Sequence, residues 1–206
     1  MHYPNQESPG FQKHAHESDD QLIHRCQLGD GKAWSTLVHR YDSLIYAVAR
    51  RFPLPEDDVA DIFQSVCLAL LTQIRNSTPP EKLSSWLVSV TRHEALYVIK
   101  KKKRSFLFSE VSAASVESSI PMMVSEEILG DLDEDLLRIE SRFLVQRGLD
   151  LLKERCRKLL SYLYTPEATP SYTEVALYMH MPINSVGPIR ARCLKSLKKI
   201  LISIGF

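Results

Sequence analysis

Apolar residues recur at three- and four-residue intervals through most of this chain, and that spacing predicts helices almost everywhere. Leu22, Ile23 and Cys26 make a short first face. Trp34, Leu37, Val38, Tyr41, Leu44, Ile45, Val48 and Ala49 continue as a long amphipathic helix. PLPEDD then interrupts the pattern and places Glu56, Asp57 and Asp58 in the first turn of a third helix, where the dipole favours acids. Val59, Ile62, Phe63, Val66, Leu70 and Ile74 form the inward face of that helix, which runs to about Arg75. NSTPPEK reads as a turn and a cap, with Thr78 at N-cap, Pro79 at N1 and Glu81 closing a capping box. The fourth helix then runs from Pro79 to about Arg104.

Periodicity fades in SFLFSEVSAASVESSIPMMVSEEILGDLDED, which is Ser-rich and acidic and reads as a linker. It resumes over Leu136 to Leu149 and Lys153 to Tyr164, followed by a loop, TPEATPS. Ser171 and Glu174 match a second capping box that opens a short helix ending near His180. MPINS connects it to a final helix with Ser185 as the expected N-cap, so that Pro188 falls at N3, where a missing N–H loses no bond. The expected fold is all-α, with two small four-helix domains. They cover residues 19–104 and 136–206, joined by a flexible acidic linker at 105–135. A polar extension, residues 1–18, lacks periodicity and is expected to be disordered.

Composition keeps this picture and adds a compartment. The chain has 206 residues, 44% apolar and 25% charged, as in water-soluble globular proteins. No apolar run is long enough to span a bilayer, and the N-terminus has no signal-peptide core, so a cytoplasmic protein without membrane contact is expected. Cys26, Cys67, Cys156 and Cys193 lie far apart with no metal-binding spacing, and reduced, buried thiols are expected. His2, His14 and His16 lack a scaffold for a metal, so no metal site and no cofactor is expected.

Charge changes the picture more. The net charge of +1 hides a strong segregation. Residues 105–137 carry Glu110, Glu117, Glu126, Glu127, Asp131, Asp133, Glu134 and Asp135, with no Lys or Arg. The C-terminal part is basic, and such asymmetry points to a nucleic-acid partner.

The candidate chemistry is therefore recognition. A short helix, a turn and a longer basic helix make a helix-turn-helix arrangement. Turning the last helix by about 100° per residue puts Val186, Ile189, Cys193, Leu197 and Ile200 on one face. Gly187, Pro188, Ala191, Arg192, Lys195 and Lys198 fall on the other, where small residues permit close approach to duplex DNA. On the fourth helix, Trp86, Arg92, His93 and Tyr97 precede the run Lys100, Lys101, Lys102, Lys103, Arg104; cations with aromatics suit a single strand. Glu56, Asp57, Asp58 and Asp61, with Gln64 one turn on, suit a basic protein surface. No phosphate-binding loop, HExxH or GxSxG motif occurs, which argues against an enzyme.

Taken together these stretches resemble an extracytoplasmic-function (group 4) sigma factor of bacterial RNA polymerase, in the sigma-70 family. EDDVADIFQSVCLALL resembles the family's second-region helix, with Asp61 and Gln64 on its Asp and Gln. SSWLVSVTRHEALYVIKKKKR resembles the helix that melts and reads the −10 element, and the C-terminal helix-turn-helix resembles the −35 reader. The resemblance implies core polymerase contacts, to the β′ and β subunits, through Asp58, Asp61 and Gln64. It implies −10 contacts through Asn76, Ser77, Lys82, Trp86, Arg92, His93, Lys100 and Lys101. It implies −35 contacts through Ser171, Tyr172, Ser185, Gly187, Pro188, Ala191, Arg192 and Lys195. Partners so implied are core polymerase and promoter DNA, both as duplex and as non-template single strand, and the resemblance admits an anti-sigma factor. Ser65 and Cys67 depart from the usual Glu and aromatic of the second-region helix, and His93 stands where Asn is common. The rival reading is a stand-alone helix-turn-helix regulator that binds duplex DNA without polymerase.

Overall fold

The computed structural model describes residues 17–76, 79–110, 126–164 and 170–206, with side chains for all of these except 105–110 and 126–131. Among the described residues the fold is all-α, with no strand. The helices are α1 (Asp19–Gln27), α2 (Gly31–Ala49), α3 (Glu56–Asn76), α4 (Leu83–Glu110), α5 (Glu126–Asp150), α6 (Glu154–Leu163), α7 (Tyr172–Tyr178) and α8 (Ile183–Ser203). The chain divides into two compact units, one reaching Glu140 and the other running from Ser141 to Phe206. Of the extension expected to be disordered, residues 1–16 fall outside the described residues, whereas Glu17 and Ser18 belong to the ordered start of α1. Of the expected flexible linker, residues 111–125 fall outside them, and its two ends, 105–110 and 126–135, are instead helical, as the end of α4 and the start of α5.

The first unit is built on the predicted stripes. Leu22, Leu37, Leu44, Val48, Ile62 and Leu70 are all at most 1% exposed, one or more from each of α1, α2 and α3, and Leu87 of α4 is fully buried with them. Two caps that the apolar pattern does not reveal fix where α1 and α2 begin. Ser18 and Gln21 form a capping box at α1, and Asp30 caps α2 by accepting from the amides of Lys32 and Ala33. Arg25 donates to the same Asp30 carboxylate and to Glu17, which ties the α1–α2 corner together. Its guanidinium and the amide of Ala33 hold the Asp30 carboxyl below the usual carboxylate range.

The start of α4 differs from expectation. Helical bonding begins with the amide of Trp86 donating to Lys82 O at 3.1 Å, so the helix opens at Leu83 and not at Pro79. A proline disfavours the helical region in the residue before it, and Pro80 does this to Pro79. The expected cap at Thr78 lies outside the described residues. At the other end α4 continues past Arg104 to Glu110, and α5 is already helical at Glu126.

The second unit packs α6, α7 and α8 around Leu159, Leu160, Val175, Met181, Val186 and Cys193. The C-terminal turns of α5 close it. A Cβ on Gly148 would stand 2.8 Å from Leu201 Cδ2 and 3.0 Å from Leu197 Cδ1, so α5 and α8 approach through the missing side chain. The expectation of four reduced cysteines is corrected here. Cys156 and Cys193 are joined as a disulfide, with Cα atoms 5.3 Å apart, because α6 and α8 cross where both face the core. Cys26 and Cys67 remain thiols, and burial pushes both up in pKa.

Candidate nucleic-acid interface

Two features of the α7–α8 corner follow from its local sequence. Ser171 caps α7 as expected: its Oγ accepts from the Glu174 amide at 3.3 Å, and its own amide donates to Glu174 Oε2 at 2.7 Å. The Ser171 amide, and the Ser171 hydroxyl at 2.8 Å, both donate to Glu174 Oε2 and hold its carboxyl below the ordinary range. The turn after α7 carries His180 at φ 49°, a left-handed conformation that closes the corner by letting the Met181 amide donate to Ala176 O at 3.0 Å. Met181 is thereby buried, and the chain enters α8 in four residues.

The start of α8 corrects the sequence expectation. Pro182, not Ser185, is the N-cap, with extended backbone at ψ 140° and no side-chain cap bond. Ser185 becomes the third helical residue, and Pro188 lies at the sixth, inside the helix. There its absent N–H removes the bond that the Asn184 carbonyl would otherwise receive. Ser185 cannot be the cap, because its own amide already donates to Pro182 O at 2.9 Å within the first turn.

The two faces of α8 nevertheless separate as predicted. Val186 and Cys193 are 0% and 1% exposed, whereas Pro188, Ala191, Arg192, Lys195 and Lys198 are exposed. Gly187 is half-buried, and a Cβ there would meet the Tyr172 ring at 3.9 Å, an ordinary contact. Tyr172, at 41% exposure, therefore shares this surface. A residue that sequence reasoning passed over is Arg190. It donates from Nε and Nη2 to the Tyr164 hydroxyl at 2.9 and 2.6 Å and lies 5.7 Å from the same ring's centroid. Helical rotation separates Arg190 from Arg192 by about 200°, so the two guanidinium groups leave α8 on different sides.

On α4 the structure sorts the predicted residues into two faces. Trp86, His93, Tyr97 and Lys100 lie within a narrow arc by helical rotation; the last three are exposed and Trp86 is half-buried. Lys101 borders this stripe and is also exposed. Arg92 is off it by roughly a third of a turn. It pairs with Asp133 of α5 at 3.1 Å, and its Nε is buried without a hydrogen-bond partner among the described residues. The same side of α4 offers Ser84 and Ser85, whose hydroxyls both donate to Glu140 Oε1, at 2.7 and 2.6 Å. Arg51 pairs with Asp135. The acidic part of α5 thus lies along the Arg92 side of α4. Asn76, the last residue of α3, and Lys82, just before α4, are exposed, and Ser77 lies outside the described residues.

On α3, Asp61 and Gln64 are exposed on one face, and Leu68 continues it one turn further at 65% exposure. Asp58 is less available: its carboxylate accepts from Lys102 of the basic run. Leu68 was the missed residue here, and an apolar side chain on an acidic, exposed face is the signal that could have found it.

Comparison with known proteins matches these elements. The model for Sigma-70 region 2 matches residues 37–105, from within α2 to the basic run of α4. The ECF RNA polymerase sigma-E factor of Escherichia coli (strain K12) is 26% identical over 183 residues, covering 89% of this chain and 92% of that protein. The RNA polymerase sigma-H factor of Pseudomonas aeruginosa is also 26% identical, over 187 residues, with the same coverage. Among solved structures, one titled "Structure of CnrH in complex with the cytosolic domain of CnrY" aligns over 91% of this chain and 99% of that one, at 19% identity and a TM-score of 0.38.

Proposed function

We infer that this chain is an extracytoplasmic-function sigma factor of the sigma-70 family, and from that premise its surfaces divide the work of initiation. It is a transcription initiation factor that binds core RNA polymerase and directs it to promoter DNA. Sigma factors are non-enzymatic, and we read this chain as acting by recognition, in the cytoplasm; among the described residues no helix is long and apolar enough to cross a membrane.

The exposed face of α3, with Asp61, Gln64 and Leu68, docks on core polymerase at its β′ and β subunits; Asp58 contributes at its edge. The stripe of α4, with Trp86, His93, Lys100 and Lys101, takes the unwound non-template strand at the −10 element, and Arg92 reaches a phosphate beside it. Bases extruded from the stack are held by Asn76, Ser77 and Lys82, which offsets the few kcal/mol that unstacking costs. The corner of Ser171 and Tyr172 with Ser185, Gly187, Pro188, Ala191, Arg192 and Lys195 sits in the major groove at the −35 element. There Arg192 can donate two bonds to a guanine edge, and Ala191 can touch a thymine methyl.

The observation that carries this reading is the two-faced α8. Its inward face is anchored by the buried Val186 and Cys193, with Ile189, Leu197 and Ile200 partly buried beside them, while Pro188, Ala191, Arg192 and Lys195 on the outward row are exposed. The test is reconstitution with purified core polymerase. The chain should co-elute with core and direct transcription of pooled genomic fragments from starts that share upstream −35 and −10 elements. Failure to co-elute, with duplex binding retained, would favour the stand-alone regulator.

A further inference from the structure

The disulfide between Cys156 and Cys193 is placed as a reactive pair would be. Cys156 is the third residue of α6, in the first turn, where the helix dipole stabilises an anion even though the cysteine's own amide donates to Lys153 O at 2.8 Å. Arg155 and Arg157 flank it, and both are exposed. The one acid of that turn, Glu154, is drawn to Lys158 at 2.7 Å. A helix N-terminus and adjacent arginines are the surroundings that lower a thiol's pKa and make it a nucleophile. Cys156 is half-buried at the edge of the core, within reach of a small oxidant, whereas Cys193 is 1% exposed at its centre. Cys26 and Cys67 have no such setting, and burial raises both.

We propose that Cys156 and Cys193 form a redox-responsive clasp in the helix-turn-helix unit, with Cys156 as the thiolate that meets a hydroperoxide and Cys193 as the thiol that resolves it. In the first step the Cys156 sulfur attacks the outer oxygen of ROOH. An S–O bond forms, the O–O bond breaks, and the alcohol ROH leaves after taking a proton, so Cys156 carries a sulfenic acid. In the second step the Cys193 sulfur attacks the Cys156 sulfur. The S–S bond forms, and hydroxide leaves as water with the proton of Cys193. A dithiol reverses this by two exchanges and is itself oxidised to a disulfide.

The consequence follows from where the clasp sits. The two cysteines are 37 residues apart, and the loop they close contains all of α7, the corner at His180 and the first half of α8. Cys193 directly follows Arg192, so the bond anchors the inward side of α8 behind its exposed row. The oxidised state keeps that row outward, and it is the state that resists unfolding. Oxidation therefore preserves the DNA-facing unit where the reduced unit begins to open. This inference does not depend on which DNA the unit reads.

The test uses the full chain, fully reduced and then exposed to hydrogen peroxide, with peptides mapped under non-reducing conditions. The Cys156–Cys193 peptide pair should form while Cys26 and Cys67 stay as thiols, and in the reduced protein iodoacetamide should label Cys156 at least about tenfold faster than either. Cys193→Ala should accumulate a sulfenic acid at Cys156 that dimedone traps, and Cys156→Ala should leave Cys193 unoxidised. Equal labelling rates at Cys156, Cys26 and Cys67 would overturn the proposal, and that measurement needs no variant to fold. So would oxidation without the Cys156–Cys193 link, or a folded Cys193→Ala protein that gives no dimedone adduct.

Discussion

Arg190 is held against Tyr164, donating two hydrogen bonds to its hydroxyl at 2.9 and 2.6 Å, while Arg192, two residues on, is exposed. One guanidinium braces α8 against the end of α6, and the other is left for a ligand. Their substitutions should therefore separate. Arg192→Ala should lose about 1–3 kcal/mol of promoter binding if it makes a bidentate base contact, and should leave the melting temperature unchanged. Tyr164→Phe should reduce stability by roughly 1 kcal/mol and affect every −35 sequence alike. Binding titrations against a panel of −35 variants, with thermal melts, check both.

The α3 face gives a second prediction. Leu68 is 65% exposed beside Asp61 and Gln64, and an apolar group that becomes buried on docking contributes about 1.5–3 kcal/mol when fully covered. Leu68→Ser should weaken core polymerase binding without lowering the chain's own stability. Asp61→Arg should weaken it further by reversing the charge. Competition against the wild-type chain for core polymerase reads both effects, and equal competition by both variants would remove α3 from the interface.

The basic run is not uniform, because Lys102 is paired with Asp58. Replacing Lys100, Lys101 and Lys103 by Gln should lower the salt slope of fork-junction DNA binding by up to about 0.7–0.9 per lysine. Lys102→Gln should change that slope less. It should instead loosen the link between α4 and α3.

Much of this was legible in the chain. Leu37, Leu44 and Val48, or Val59, Ile62 and Val66, reveal their helices because each must repeat every three or four residues to reach one core. The outward row of α8 could be read for the same reason. Helix starts were harder wherever two signals competed. Thr78 with Glu81 looks like a capping box, but Pro80 denies Pro79 a helical backbone. Ser185 is a good N-cap residue, yet Pro182 lies earlier and takes the position. The pairing of Cys156 with Cys193 could not be read, since the spacing of four distant cysteines does not say which helices cross. Nor could the covering of Arg92 by Asp133, which depends on α5 lying beside α4 and not on any local pattern.

The cap of α7 carries a pH dependence. Bonds from the Ser171 amide and hydroxyl lower the folded pKa of Glu174, so this contribution to stability is complete above the ordinary glutamate pKa of about 4.3 and is lost as pH falls through the lowered folded value. Glu174→Gln keeps an acceptor but removes the charge, so its unfolding should show less of that acid-side loss. Thermal melts of both proteins across the acid range check this. Parallel curves would mean that Glu174 is solvated and the cap rests on the Ser171 hydroxyl alone.

Pro188 poses the sharpest question about α8. At the sixth helical position it withholds a donor from the Asn184 carbonyl, and an interior proline costs a helix about 3 kcal/mol. Its place near the N-terminus makes that an upper bound, so Pro188→Ala should stabilise the C-terminal unit by a positive amount not exceeding it. Gly187→Ala should also stabilise, by no more than about 1 kcal/mol, since the new Cβ meets Tyr172 at an ordinary 3.9 Å. Denaturant unfolding of the two variants measures these gains. If stability alone were at issue, neither residue would have a reason to be there, so the compensation must lie on the exposed side. The same variants should then bind −35 duplex more weakly than wild type, because each puts a methyl group or a straighter backbone where the first turns meet DNA. Variants that are more stable and bind as well as wild type would leave Gly187 and Pro188 without a role in groove entry, and would move the reading of the −35 element onto Arg192 and Lys195.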